Sequence, residues 1–418
     1  MKLAPLRLKL APLRPLLCAC LLWACAPSGG SSGPNVTPPE VPGANVLALT
    51  VNAGPAQNSV DTAFTTVTIC APGTSSCQTI SGIVVDTGSY GLRLFASQVS
   101  VNLPAETSGG STVVECAYFA SFTTWGPMKT AALTLGSEPA VNVPVQIMND
   151  PNFPAPTSSQ CSASSPPAAC QCVNSAPNPT IATSAQQIGS NGILGVGVFT
   201  NDCPLCTTAP GSGAPGYYLC PSSNVSGCAV APVPANEQAQ NPVALLPTDN
   251  NGVIVDLPAI AATGAESVAG SLILGINTQT NNALGSATIY TLDSSGEMTT
   301  SYDGTNYTSF IDSGSNGLFF PDSSIPQCSS DPGWYCPSST QSLSAVNTGT
   351  NGATGTVMFN IANATTLFDS GYTAFNDIGG NLSGLFDWGL PFFFGRQVFF
   401  GIAGQNPSLS GSAGFYAY

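Results

Sequence analysis

Two ten-residue stretches of the chain carry one pattern 226 positions apart: Ile83-Val84-Val85-Asp86-Thr87-Gly88-Ser89-Tyr90-Gly91-Leu92 and Ser309-Phe310-Ile311-Asp312-Ser313-Gly314-Ser315-Asn316-Gly317-Leu318. Both read D-[TS]-G-S-x-G-L behind apolar residues. A lone Asp followed two positions on by Gly is ordinary turn chemistry. Two copies with matched flanks imply a duplicated lobe, each half ending a strand on an aspartate carried by a tight loop. A length of 418 residues also exceeds the usual single-core size, so two lobes are expected.

The repeat gains chemical weight because the chain has no histidine. Without imidazole, Ser/His/Asp triads, Cys/His dyads and histidine-held zinc are excluded. A Ser/Lys dyad would have to use Lys129, the one lysine beyond the N-terminal segment. Paired carboxylates need no such partner. Two of them about 3 Å apart repel by roughly 5 kcal/mol at an effective dielectric near 20, about four pK units, so one holds a proton while the other is ionised. Such a pair can activate water with one member and protonate a carbonyl or leaving amine with the other. Asp86 and Asp312 are therefore the candidate catalytic residues. Thr87 and Ser313 are suited to cross-brace the loops, Gly88 and Gly314 to let backbone N–H groups approach the carboxylates, and Ser89 and Ser315 to hold the outer oxygens.

The N-terminus reads as an export signal over residues 1–25, with Lys2, Arg7, Lys9 and Arg14 preceding an apolar run from Pro15 to Ala24. At about 10 residues the run is too short to span a bilayer. Leu22-Trp23-Ala24-Cys25 followed by a Ser/Gly tether resembles a bacterial lipoprotein signal, with Cys25 as the lipidated residue; ordinary cleavage after Ala26 is the alternative. Beyond the signal, three cations face 21 acids, a net charge of −18, which argues against nucleic acid or an anionic membrane surface as a partner. The only membrane contact expected is a lipid anchor at Cys25, placing the protein in the bacterial envelope at the outer membrane; soluble secretion is the alternative.

Fifteen cysteines, less Cys18 and Cys20 in the signal and Cys25, leave twelve, an even number that reads as six disulfides formed in an oxidising compartment. Close pairs such as Cys70/Cys77, Cys220/Cys228 and Cys328/Cys336 suit local staples. Cys203-Pro204-Leu205-Cys206 reads as a structural disulfide, a redox motif or half a metal site, with no second CxxC to favour the last two.

Only 7% of residues are charged, yet 43% are hydrophobic, and with 44 Gly and 36 Pro the chain reads as a turn-rich all-β protein. After a tether at 26–45, an N-terminal lobe with Asp86 is expected over 46–200, a Cys/Pro-rich insertion over 201–245, and a C-terminal lobe with Asp312 over 246–418. Strand-like runs include Val46–Val51, Phe64–Ile69, Ile83–Val85, Ala131–Leu135, Val141–Val145, Val253–Val255, Ser271–Leu274, Phe392–Phe394 and Val398–Phe400. Asp249-Asn250-Asn251-Gly252 reads as a hairpin turn, supplying too few oxygens for calcium.

Taken with their surroundings, the paired motifs resemble the pepsin-like aspartic proteases, from about residue 46 to 418. Ser190–Gly197 is similar to the strand behind the first aspartate in that family, Gly270–Ile276 to its interlobe strand, and Gly389–Gln397 to the segment after its second apolar-Gly motif. The DTGSYGLRL stretch and Ile276–Asn282 resemble more closely still a bacterial family of exported proteins with the same pattern and no assigned function. The resemblance implies a bilobal double β-barrel with a cleft, and a monomeric aspartic-type endopeptidase that takes peptide or protein substrates and needs no cofactor or metal. It also implies a flap hairpin near Thr124-Trp125-Gly126. Phe119 would stand where the family has a tyrosine, with Tyr118 beside it, and Arg93 where it has a tryptophan. Phe119 cannot donate a hydrogen bond. Arg93 either favours ionisation of the pair or ion-pairs with a surface acid. The rival reading is a catalytically silent envelope lipoprotein that binds peptides, glycans or a protein partner; a thiol-redox protein using Cys203 and Cys206 is a third.

Overall fold

A computed structural model describes residues 35–36, 43–176, 178, 180–208, 216–221 and 225–418. The export signal, Cys25 and most of the tether lie outside the described residues. Apolar and β-branched runs become the strands that lead to the two loops. Cys77–Asp86 buries Ile83, Val84 and Val85 in succession. Gly192–Val196 lies parallel along one edge and Ala63–Cys70 antiparallel along the other, and a strand enclosed in this way reads as a continuous apolar run. In the second half, Thr305–Ile311 lies between the parallel Leu385–Trp388 and the antiparallel Met298–Tyr302.

The chain is thus all-β and two-lobed, with two barrel-like sheets of 17 and seven strands among the described residues. The larger sheet joins the halves. Ile289–Thr291, Phe415–Ala417, Arg396–Gly401, Gly252–Leu257, Ser267–Leu274, Val46–Val51 and Ala63–Cys70 are successive antiparallel neighbours. A strand from the N-terminal half is therefore continuous with the C-terminal ladder, and the main hydrophobic core runs through both halves. Asp61 adds a pin between them, accepting from Phe375 N–H at 2.8 Å and donating its own N–H to Thr373.

Two expectations are corrected. Phe392–Phe394 does not form a strand: Leu390–Phe393 is a 3-10 turn, because Pro391 has no N–H for a ladder and fixes φ near the helical value. Phe392 instead packs in the core, tilted against Trp388 and edge-on to Tyr418. Asp249–Gly252 is no hairpin, since the 3-10 turn Pro242–Leu245 precedes it rather than a strand. Asp249 instead accepts from Thr278 and Gln279.

All twelve cysteines beyond the N-terminal segment are paired, as Cys70–Cys77, Cys116–Cys172, Cys161–Cys170, Cys203–Cys206, Cys220–Cys228 and Cys328–Cys336. Six disulfides fit an exported protein folded under oxidising conditions. Among the described residues no helix is long and apolar enough to cross a membrane.

Candidate functional site

Asp86 ends its strand and Asp312 follows its own by one residue, each where the chain turns. Gly88 N–H and Ser89 hydroxyl donate to Oδ1 and Oδ2 of Asp86 at 2.9 and 2.6 Å. Gly314 N–H and Ser315 hydroxyl donate to the same atoms of Asp312 at 2.7 and 2.9 Å. The loops grip each other reciprocally: Thr87 N–H donates to Ser313 Oγ at 3.2 Å and Ser313 N–H to Thr87 Oγ1 at 2.9 Å. Each hydroxyl then donates deeper into the opposite lobe, Ser313 to Val85 O at 2.7 Å and Thr87 to Ile311 O at 3.4 Å. The result is a nearly two-fold hydrogen-bond set made by equivalent residues.

The glycines are required by contact. A Cβ at Gly88 would stand 2.8 Å from both Asp312 oxygens, and one at Gly314 would stand 2.7 Å from Asp86 Oδ1. Each loop therefore lies over the other loop's carboxylate. Gly88 and Gly314 are nonetheless solvent-exposed, so this side of the pair faces water. Desolvation first, and the Asp86 charge second, push the Asp312 carboxyl well above the ordinary range.

Residues 42–418 match the family described as a protein of unknown function (DUF3443). The chain belongs to that family. No curated protein matches it.

In this DUF3443 chain Tyr118 ends the strand Ser111–Tyr118, paired with Thr123, and Phe119 follows it on the turn to Thr123–Thr134. Phe119 stacks on Phe122, with ring centroids 4.8 Å apart, and its ring faces the Arg93 guanidinium at 5.6 Å. Arg93 also donates to Tyr90 O at 2.6 Å, so the turn is joined to the first aspartate loop. The Tyr118 hydroxyl points away, to Gln171 O. This hairpin is not free-standing. Gly216–Cys220, from the Cys/Pro-rich stretch, adds a third strand along Ser111–Tyr118, and Cys116–Cys172 ties it from behind.

Arg93 departs from its expectation of a surface ion pair. It is 2% exposed and ion-pairs with buried Glu115, a contact that two guanidinium N–H groups share, and with Asp202 at 3.0 Å. Burial opposes the arginine's charge, but Glu115 and then Asp202 more than offset this and raise its pKa. Asp202 in turn accepts from the Tyr217 hydroxyl at 2.8 Å. The cation thus clamps the aspartate loop, the hairpin and the added strand together.

Sequence reasoning missed Asp387. It is 5% exposed on Leu385–Trp388, and burial pushes its carboxyl up to about 8, against a partial lowering by a Ser315 hydrogen bond and a further rise from Asp86. Among the described residues its Oδ1 has no hydrogen-bond partner. The available signal was one acid inside the apolar run Leu385-Phe386-Asp387-Trp388, where the first copy has Ile193. Tyr90 was also overlooked. Burial raises its hydroxyl pKa, with Asp86 and Asp312 adding to the shift.

Proposed function

We propose that this protein is an aspartic-type endopeptidase of pepsin-like design, in which Asp86 and Asp312 share one proton and hydrolyse peptide bonds through a water held between them. The observation that carries the reading is the reciprocal hydrogen-bond set, which presents two carboxylates equivalently under exposed glycines. In the reaction, the ionised carboxylate takes a proton from water as its oxygen bonds to the carbonyl carbon, and the protonated partner gives its proton to the carbonyl oxygen. Collapse of the diol breaks the C–N bond while a proton passes to the leaving amine. No imidazole is needed.

Peptide digestion by the purified mature protein between mildly acidic and neutral pH tests this. Asp86→Asn and Asp312→Asn are each expected to lower kcat at least about a thousandfold. Activity that survives either substitution would sink the mechanism.

A second reading is a pepsin-like envelope lipoprotein that captures peptides, glycans or a partner without cleaving them. It is favoured by the hairpin, which is fixed by a third strand and a disulfide and bears Phe119 in place of a hydrogen-bond donor. Binding of a peptide library without turnover would support it. Lipid attachment at Cys25 fits either reading, and Cys25→Ala would then move the protein from the membrane fraction to the soluble one.

A further inference from the structure

The hairpin of Ser111–Tyr118 and Thr123–Thr134 is joined to the first aspartate loop through Phe119, Arg93 and Tyr90 O. A hairpin that swings over a site needs free edges. Here both edges are taken. Along Ser111–Tyr118, Gly216–Cys220 pairs with residues 112–116, and that added strand is itself paired with Ala229–Val230. Along the other edge, Ile181 makes a parallel bridge to Thr123; Thr123 N–H donates to Thr180 O at 2.9 Å and Ala182 N–H to Thr123 O at 2.8 Å. One step further in, Asn149 N–H donates to Trp125 O and the Trp125 indole N–H to Phe153 O, both at 3.1 Å. The turn is held as well, since the Thr123 hydroxyl donates to Asn178 O at 2.6 Å and the Asn178 side-chain amide to Ser121 O. Cys116–Cys172 and the buried Arg93–Glu115 ion pair fasten the same strand covalently and by charge.

We propose that this hairpin is a fixed wall of the site and not a moving cover, so that the protein takes its peptide by the end: a linear chain with a free terminus slides in lengthwise, and a closed loop is refused. The substrate class rests on the proposed hydrolytic function; the fixed hairpin does not. Opening a hairpin with free edges leaves its own ladder intact, whereas opening this one must break backbone hydrogen bonds along both edges and part a buried ion pair. A cover that swings admits the middle of a chain sideways. A fixed wall leaves the ends of the groove as the way to the aspartates beneath the exposed Gly88 and Gly314. Short peptides and the loose ends of unfolded proteins meet that requirement, and loops on folded proteins do not.

The test compares one cleavable peptide in two forms on the mature protein: linear, and closed head to tail through a Gly/Ser linker long enough to leave the cleaved segment extended. The ring is expected to show kcat/KM at least about tenfold below the linear form. Cys116→Ser with Cys172→Ser, which unfastens the hairpin, is expected to narrow that gap. Amide hydrogen exchange of the wild type supplies a readout that needs neither turnover nor a variant: Thr123 and Ala182 should exchange within about tenfold of the slowest amides of Cys77–Asp86. A ring cleaved as fast as the linear peptide overturns the proposal. So do Thr123 and Ala182 amides that exchange as fast as those of exposed Ala120 and Ser121. If no peptide is cleaved, the hydrolytic reading fails and binding of a statine-type peptide in the same two forms decides: a linear form that binds while its ring does not upholds entry by the end, and equal or absent binding of both overturns it.

Discussion

In the first lobe, antiparallel pairing sets Ile193 opposite Arg93, while in the second it sets Asp387 opposite Phe319. The two pairs occupy equivalent places. Each strand runs beside the one leading to its aspartate, and each partner follows its aspartate by seven positions, yet one lobe buries a cation there and the other an acid. The aspartate loops themselves keep matching hydrogen bonds. The loop geometry is therefore independent of the charge behind it, and each lobe uses that position for a different purpose. The cation recruits Glu115 and Asp202 and ties a hairpin to the first loop. The acid, with no cation paired to it among the described residues, is pushed up to about 8 by burial next to the second loop.

The largest expected consequence of this difference is in stability against pH. An acid with a pKa of about 8 in the fold, against its ordinary 3.8, contributes stability that is fully present below pH 4 and is lost as pH rises toward 8. Wild-type unfolding free energy should fall across that range, and Asp387→Asn should recover up to about 5 kcal/mol of the loss. Urea denaturation at several pH values measures it, and parallel curves for the two proteins would contradict a buried, protonated Asp387. Next, Arg93→Leu leaves Glu115 and Asp202 buried without a cation and should cost about 3 to 5 kcal/mol, with much of that regained when Glu115→Gln and Asp202→Asn are added. The equivalent change in the second lobe, Phe319→Leu, exchanges one apolar side chain for another and should cost only about 1 kcal/mol.

Much of this architecture is legible in the sequence, because it rests on local signals. The apolar runs before Asp86 and Asp312, the matched D-[TS]-G-S loops and the closely spaced cysteines each depend on neighbours a few residues away. Long-range relations were not legible. Nothing near Arg93 in sequence announces Asp202, 109 positions on, or Glu115, so the arginine read as a surface residue. Asp387 is visible as an acid in an apolar strand, but its proximity to Ser315 depends on the parallel register of Leu385–Trp388 with Thr305–Ile311. Phe392–Phe394 has strand composition, and Pro391 together with aromatic packing overrides it.

The central claim is that Asp86 and Asp312, gripped alike by two unlike lobes, act as one hydrolytic unit. Calorimetric titration of the mature protein with a statine-type peptide, whose hydroxyl mimics the tetrahedral transition state, tests it most directly. Tight binding at acid pH, weakened to a similar degree by Asp86→Asn and by Asp312→Asn, is the predicted result. Binding that neither substitution changes, or that only one of them weakens, would contradict it.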